Sequence, residues 1–238
     1  MLIRIALAGL FTLGCASGAM AAFAAPLQPF HADYQVLRNG NAVGRATLSL
    51  RDVGGGVWEF DSHTRGTSGM ASLLGLDVTE KSTFRWHDGH PQGLSYHYNQ
   101  SAAIKSRTRN IDFDWSNDTA TVRDGKKAQV LTLLPDAIDR SLVTVALMAD
   151  LQTQTQTMTY RVVHKDKVSD ERYVQGGHES LDLPAGRIDA VRIERNDASS
   201  QRHTISWFAP TRAWLPVKIE QVEKHGETVT LQLDSSPN

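Results

Sequence analysis

Apolar and polar residues alternate along most of the chain. They do so in Phe30-His31-Ala32-Asp33-Tyr34-Gln35-Val36, in Ala46-Thr47-Leu48-Ser49-Leu50, in Ile111-Asp112-Phe113-Asp114-Trp115 and in Val229-Thr230-Leu231-Gln232-Leu233. A period of two puts one face of a strand in a core and the other in water. Asn39-Gly40, between the first two runs, is the preferred pair for a two-residue hairpin turn. Further turns are signalled at Gly54-Gly55-Gly56, Asp88-Gly89, Asp124-Gly125, Gly176-Gly177, Pro184-Ala185-Gly186 and His225-Gly226. The spacing predicts a mostly antiparallel meander. One stretch departs from it. From Pro135 to about Leu151, Ile138, Leu142, Val145, Ala146 and Ala149 recur at three- and four-residue spacing, which predicts a helix with one apolar face. Pro135 and Asp136 suit its first turn, and Asp139 and Ser141 are placed to satisfy free backbone amides there.

The expected fold class is therefore mainly β: an antiparallel meander forming a curved sheet or half-barrel, with one central helix packed on it. No composition shift, linker or repeat of solenoid period divides the chain. Residues 25–238 read as a single β-rich domain in two lobes, with the helix between them.

The N-terminus changes the picture of where this domain works. Arg4 precedes an apolar run from Ile5 to Leu13 and small residues from Gly14 to Ala25, the order of a signal peptide. Residues 1–24 are expected to be removed after Ala24, with Ala21 as the alternative. The run is too short and too rich in Ala and Gly to span a ~30 Å hydrocarbon core. The only cysteine, Cys15, follows Thr12 where a lipoprotein signal wants Leu. The processed chain then holds no thiol, so it makes no disulfide and no thiolate metal site. It keeps 24 basic and 26 acidic residues with interspersed signs. No basic block points to nucleic acid, and no later apolar run could cross a bilayer. The expected location is the periplasm.

Several short elements, in order, resemble a family of exported bacterial proteins, the domain of unknown function 3108. They are Tyr34 followed by Gly44, Pro135 with Asp139-Arg140-Ser141, Pro184-Ala185-Gly186, Thr204-Ile205-Ser206-Trp207-Phe208-Ala209 and Leu215-Pro216-Val217. The resemblance spans nearly the whole processed chain. It implies a β-rich envelope protein of Gram-negative bacteria and no reaction. At fold level it extends to open half-barrels that carry lipids or lipoproteins. The residues themselves give these pieces packing roles: Tyr34, Trp207 and Trp214 as amphipathic aromatics at a sheet margin, and Pro216 at an edge, bulge or strand start.

Candidate chemistry is sparse. His87-Asp88-Gly89-His90 with His97 could supply zinc ligands, but the turn at Asp88-Gly89-His90-Pro91 reads as exposed histidines. Gly66-Thr67-Ser68-Gly69-Met70 misses the esterase pattern at its last position. Asp112 and Asp114 share a solvated strand face, and with Asn117 and Asp118 lack calcium-loop spacing. No phosphate-binding glycine motif occurs, and no cofactor is expected. The segment Met70, Leu73, Leu74, Leu76 has two readings, a small core helix or an apolar flap hinged at Gly66, Gly69 and Gly75 over a sheet cavity. The function expected first is non-catalytic binding of an apolar ligand, a lipid or an envelope protein segment, with Met70, Leu73, Leu74, Trp207 and Trp214 as contacts. A protein-docking factor without a cavity and a hydrolase of envelope ester or glycan using Ser68 or a carboxylate pair stand as alternatives.

Overall fold

The computed structural model describes residues 27–103, 106–155, 158–196, 203–223 and 226–235. The leader expected over residues 1–24, both cleavage candidates and Cys15 lie outside the described residues.

The alternating runs become strands. The first half of the chain holds β1 (Phe30–Arg38), β2 (Asn41–Gly54), β3 (Val57–Gly66), the short helix α1 (Gly69–Leu73), β4 (Asp77–His87), β5 (His90–Ser101), β6 (Arg107–Asp114), β7 (Thr119–Asp124) and β8 (Lys127–Thr132). Asn39 and Gly40 take φ values of 49° and 78°, the left-handed pair that lets a two-residue turn follow the strand twist. The second half holds β9 (Ala137–Asp139), α2 (Leu142–Gln152), β10 (Met158–Val163), β11 (Val168–Leu183), β12 (Gly186–Arg195), β13 (His203–Ala209), β14 (Leu215–Val222) and β15 (Thr228–Ser235).

All fifteen strands form one sheet, running from β8 down to β1 and then from β15 down to β9. The two half-chains meet where the first strand pairs with the last: Tyr34 faces Ala46 of β2 on one side and Leu233 of β15 on the other. The sheet is not closed, since β8 and β9 stand at opposite ends of its order. It curls until the ends overlap. There β9 packs on β5, and Tyr96, Ile111 and Val122 meet Leu133, Ala137 and Val163 in a small second core. The larger core fills the concave face around α2. The fold is thus mainly β, a curved antiparallel half-barrel with a central helix.

The helix differs from its expected form. Nine of its eleven residues are buried, including Leu142, Val145, Met148 and Leu151. A helix surrounded by sheet must be apolar on every side rather than on one face. It starts at Leu142, not at Pro135. Ile138 lies instead in β9, opposite Val162 of β10 in a parallel ladder. Asp136, with φ of 61°, turns the chain out of helical geometry, and the parallel ladder satisfies the backbone that follows. Tyr34 also departs from the sheet margin. It is fully buried, and its hydroxyl donates to the Pro216 carbonyl at 2.7 Å, bridging β1 to β14 across β15. Burial first, and the nearby Asp33 charge second, push that hydroxyl far above the ordinary tyrosine range. Helix α1 has no buried residue, so it is not a core helix.

Candidate functional site

Inward-facing positions change character along the strands. At one end they are large and buried: Phe60, Phe208, Val217 and Leu233. Two residues further on the same face come Ser62, Ser206, Ile219 and Leu231, all half-buried. On β3 and β13 a phenylalanine gives way to a serine, which leaves the half-barrel unfilled there. A cavity of about 430 Å3 remains between the first turns of α2 and the concave sheet. Its apolar wall comes from Leu48, Phe60, Val143, Leu147, Ile219 and Leu231.

Two ionic clusters border this space. In the first, Arg140 donates through Nε to Glu80 Oε2 at 3.0 Å and to the Tyr96 hydroxyl at 3.0 Å, and through Nη2 to Glu80 Oε1. Tyr96 donates to Glu80 Oε2 at 2.8 Å, and the guanidinium lies 5.1 Å from the Tyr98 ring centre. Burial works against the Arg140 charge, but Glu80 more than offsets it and the guanidinium stays charged. In the second cluster, Arg195 Nη2 lies 3.1 Å from Glu171 Oε1, and the Tyr173 hydroxyl donates to Glu171 Oε2 at 2.8 Å. His164 Nε2 lies 3.3 Å from Glu171 Oε1 without the alignment of a hydrogen bond. Burial lowers the His164 pKa, outweighing the pull of Glu171, so the imidazole is neutral at pH 7. Burial and the Glu171 charge hold the Tyr173 hydroxyl protonated.

Asp139 ties the cavity to the helix. Its Oδ1 accepts bonds from Ser82 Oγ at 2.8 Å and from the Ser141 and Leu142 amides at 2.9 and 3.2 Å. It therefore caps α2, as the sequence suggests, but from a strand rather than from within the helix. Its Oδ2 is buried without a partner. Burial outweighs the three donors, and the carboxyl is pushed up to about 7.

The five residues expected as ligand contacts are not gathered into one place. Met70 and Leu73 on α1 are 64% and 79% exposed, and Leu74 is half-buried. The ladders run from Gly66 through Gly44, Val36, Leu231 and Ile219 to Ser206. This register puts α1 at the strand ends toward which the cavity residues lie. Trp214 lies beyond the opposite end of β13, at the turn into β14. Trp207 is buried; its indole donates to Glu179 Oε2 at 2.9 Å, and Lys218 Nζ sits 4.3 Å from its ring centre. Neither tryptophan lines the cavity.

The other sequence candidates are engaged locally. Ser68 Oγ donates to the Ala42 carbonyl at 2.6 Å. Asp112 pairs with Arg123, and Asp114 accepts from Ser116 and Asn117 in a turn. His87 and His90 face each other across a hairpin, whereas His97 lies seven residues along β5, roughly 23 Å at strand spacing. Among the described residues, no three metal-ligating side chains gather.

Glu80, Arg195 and His164 are absent from the sequence candidates. One signal was available for Glu80: the period-two register of Phe84 carries Ser82 and Glu80 onto the same inward face. In the second cluster Glu171 and Tyr173 share the inward face of β11 by the same period, while Arg195 of β12 and His164 after β10 reach them only through the fold.

The comparisons bear on the fold. A β-barrel-like protein of domain of unknown function DUF1849 from Brucella abortus, solved by crystallography, matches with a TM-score of 0.54 at 10% identity, over 87% of this chain and 96% of that one. A crystal structure described as a putative lipoprotein from Parabacteroides distasonis matches at 11% identity over 89% and 96% of the two chains, with a TM-score of 0.37. No curated protein matches. Among the described residues no helix is long and apolar enough to cross a membrane. The profile of a family of proteins of unknown function, DUF3108, matches residues 30–234, and the chain belongs to that family.

Proposed function

We propose that this chain is a non-catalytic protein of the bacterial periplasm that binds the apolar part of a lipid or envelope component inside its half-barrel. The observation that carries this reading is the cavity of about 430 Å3 beside α2, apolar along one wall and polar at its border. A volume of that size is within the usual range for small-molecule sites, which are mostly apolar with a few polar groups. Non-directional burial accepts varied acyl chains. Helix α1 is the entry flap in this reading. Its exposed Met70 and Leu73, with Leu74 behind them, offer apolar surface at the cavity end of the strands. Gly69 and Gly75 take left-handed φ values of 57° and 58° that other residues adopt at a cost. The tryptophans drop out of this reading because Trp207 is committed to Glu179 and Lys218. Export rests on the leader pattern of residues 1–24.

The test is recovery of the protein from periplasm under native conditions, with bound molecules extracted and identified by mass spectrometry. A near-stoichiometric amphiphile is expected, and Ile219→Arg, which places a charge against the apolar wall, should abolish its recovery. A ligand-free protein, or an equal yield from the variant, counts against the reading. A second reading, docking through a sheet edge, is favoured by β8: it ends the sheet and leaves Val130 64% exposed. A ligand-free protein that captures an envelope partner lost on Val130→Pro would shift the assignment there.

A further inference from the structure

The polar groups at the cavity divide into two kinds, and the division says what head group the ligand carries. The carboxylates are saturated. Both Glu80 oxygens accept bonds from Arg140 and Tyr96, and the Glu171 oxygens are taken by Arg195 and Tyr173. Glu171 is only 5% exposed. An anionic head that took Arg195 Nη2 from Glu171 would leave a buried carboxylate with one partner fewer, which costs more than a new ion pair returns. The start of α2 is closed to an anion too, since Asp139 already accepts the amides of Ser141 and Leu142. A cationic head would have to displace an arginine at the same cost.

The uncharged groups are open. Ser62, Ser141, Thr144, Thr204, Ser206 and Gln221 all line the cavity and are half-buried. Among the described residues none of their side chains has a hydrogen-bond partner within the protein. Their hydroxyl and amide atoms are not among the buried unpartnered ones, so water reaches them and a ligand's hydroxyl or amide can take its place. They come from β3, α2, β13 and β14, and so surround the space from several sides.

Resting on the binding role proposed above, we infer that the cavity takes an uncharged amphiphile, with one acyl chain on the apolar wall and a hydroxyl- or amide-bearing head among these six side chains. The class is that of a monoacylglycerol, an acylated sugar or a fatty amide, and excludes free fatty acids and anionic phospholipids. The volume equals that of roughly fourteen waters, which suits a single chain and not the pair of a diacyl lipid.

Binding of monooleoylglycerol, oleate and lysophosphatidylglycerol to the delipidated exported protein at pH 7 tests this by displacement of a fluorescent fatty probe. Monooleoylglycerol is expected to bind at least tenfold more tightly than either anion. The pair Ser206→Ala with Gln221→Leu should weaken it about tenfold, the scale of one or two lost hydrogen bonds, and leave oleate unchanged. Thr144→Val serves as an independent variant should that pair unfold. Glu80→Gln strips Arg140 of its counter-ion and should raise oleate affinity. Equal or tighter binding of an anion, or no effect of the hydroxyl and amide variants on monooleoylglycerol, overturns the head-group inference while leaving a lipid site. Binding of none of the three probes overturns the site as well.

Discussion

Asp139 concentrates three donors on one oxygen and leaves the other buried and unpartnered. The capping bonds stabilise the start of α2, yet burial makes the ionised form expensive, and the folded pKa rises to about 7 from about 3.9 in an unfolded chain. The folded state therefore binds the extra proton between these values. The contribution of Asp139 is fully present below pH ~4 and is lost as pH rises through about 7. Asp139→Asn keeps an acceptor for the helix amides and removes the charge. Urea unfolding of both proteins across pH 4–8 should show the variant gaining stability relative to the parent as pH rises, by up to about 4 kcal/mol at the top of the range. A difference that does not vary with pH would show that Asp139 keeps an ordinary carboxylate pKa. The capping role of Asp139 was legible from its place before an apolar helix. Its burial was not, because β9 is three residues long and exists only through its ladder with β10, more than twenty residues away.

The two helices invert the usual relation between apolar sequence and burial. Helix α2 is enclosed, and Leu142, Val145 and Met148 are all under 3% exposed. Helix α1 carries Met and Leu just as freely and buries none of them. Leu142→Ala should therefore cost about 2–5 kcal/mol, whereas Met70→Ser with Leu73→Ser should stay within about 0.5 kcal/mol of the parent. Denaturant unfolding separates the two. If α1 is the entry flap, the serine pair will also slow uptake of an acyl probe at unchanged stability; an unchanged uptake rate would leave α1 without that role. The strand runs and turns were legible because period two and glycine pairs are local signals. The helix start was misplaced because Ile138 sits four residues before Leu142, a helical spacing produced here by a strand followed by a turn. Apolar residues on every side of an eleven-residue helix are a local sign of enclosure, whereas the five residues of α1 are too few to carry one.

Long-range closure governs the whole molecule. The first strand pairs with the last, Asp33 opposite Ser235, while β8 and β9, neighbours in the chain, stand at the two ends of the sheet. The sequence carries no trace of this, since a ladder between residues two hundred apart leaves no mark on either strand. The topology makes a specific kinetic forecast. Ser235 and Phe30 lie at the same end of the β15–β1 ladder, so a short linker can join the termini of a chain trimmed to residues 27–235, which keeps the buried Leu27. New termini placed between Pro135 and Asp136, both exposed, turn the strand order into an uninterrupted meander from β9 to β15 and on from β1 to β8. Every strand then pairs with its neighbour in sequence, and the large β1–β15 ladder becomes a hairpin, while the smaller packing of β9 and α2 on β5 becomes the long-range contact. Folding rates rise as contacts become local, while the final set of contacts is nearly unchanged. Stopped-flow refolding of the permuted chain should be several-fold faster than that of the parent, with equilibrium stability altered by no more than about 1–2 kcal/mol from the loss of the β8–β9 link. A permuted chain that folds at the parent rate would mean that the β1–β15 ladder forms after the rate-limiting step, and that the two halves of the sheet fold before they meet.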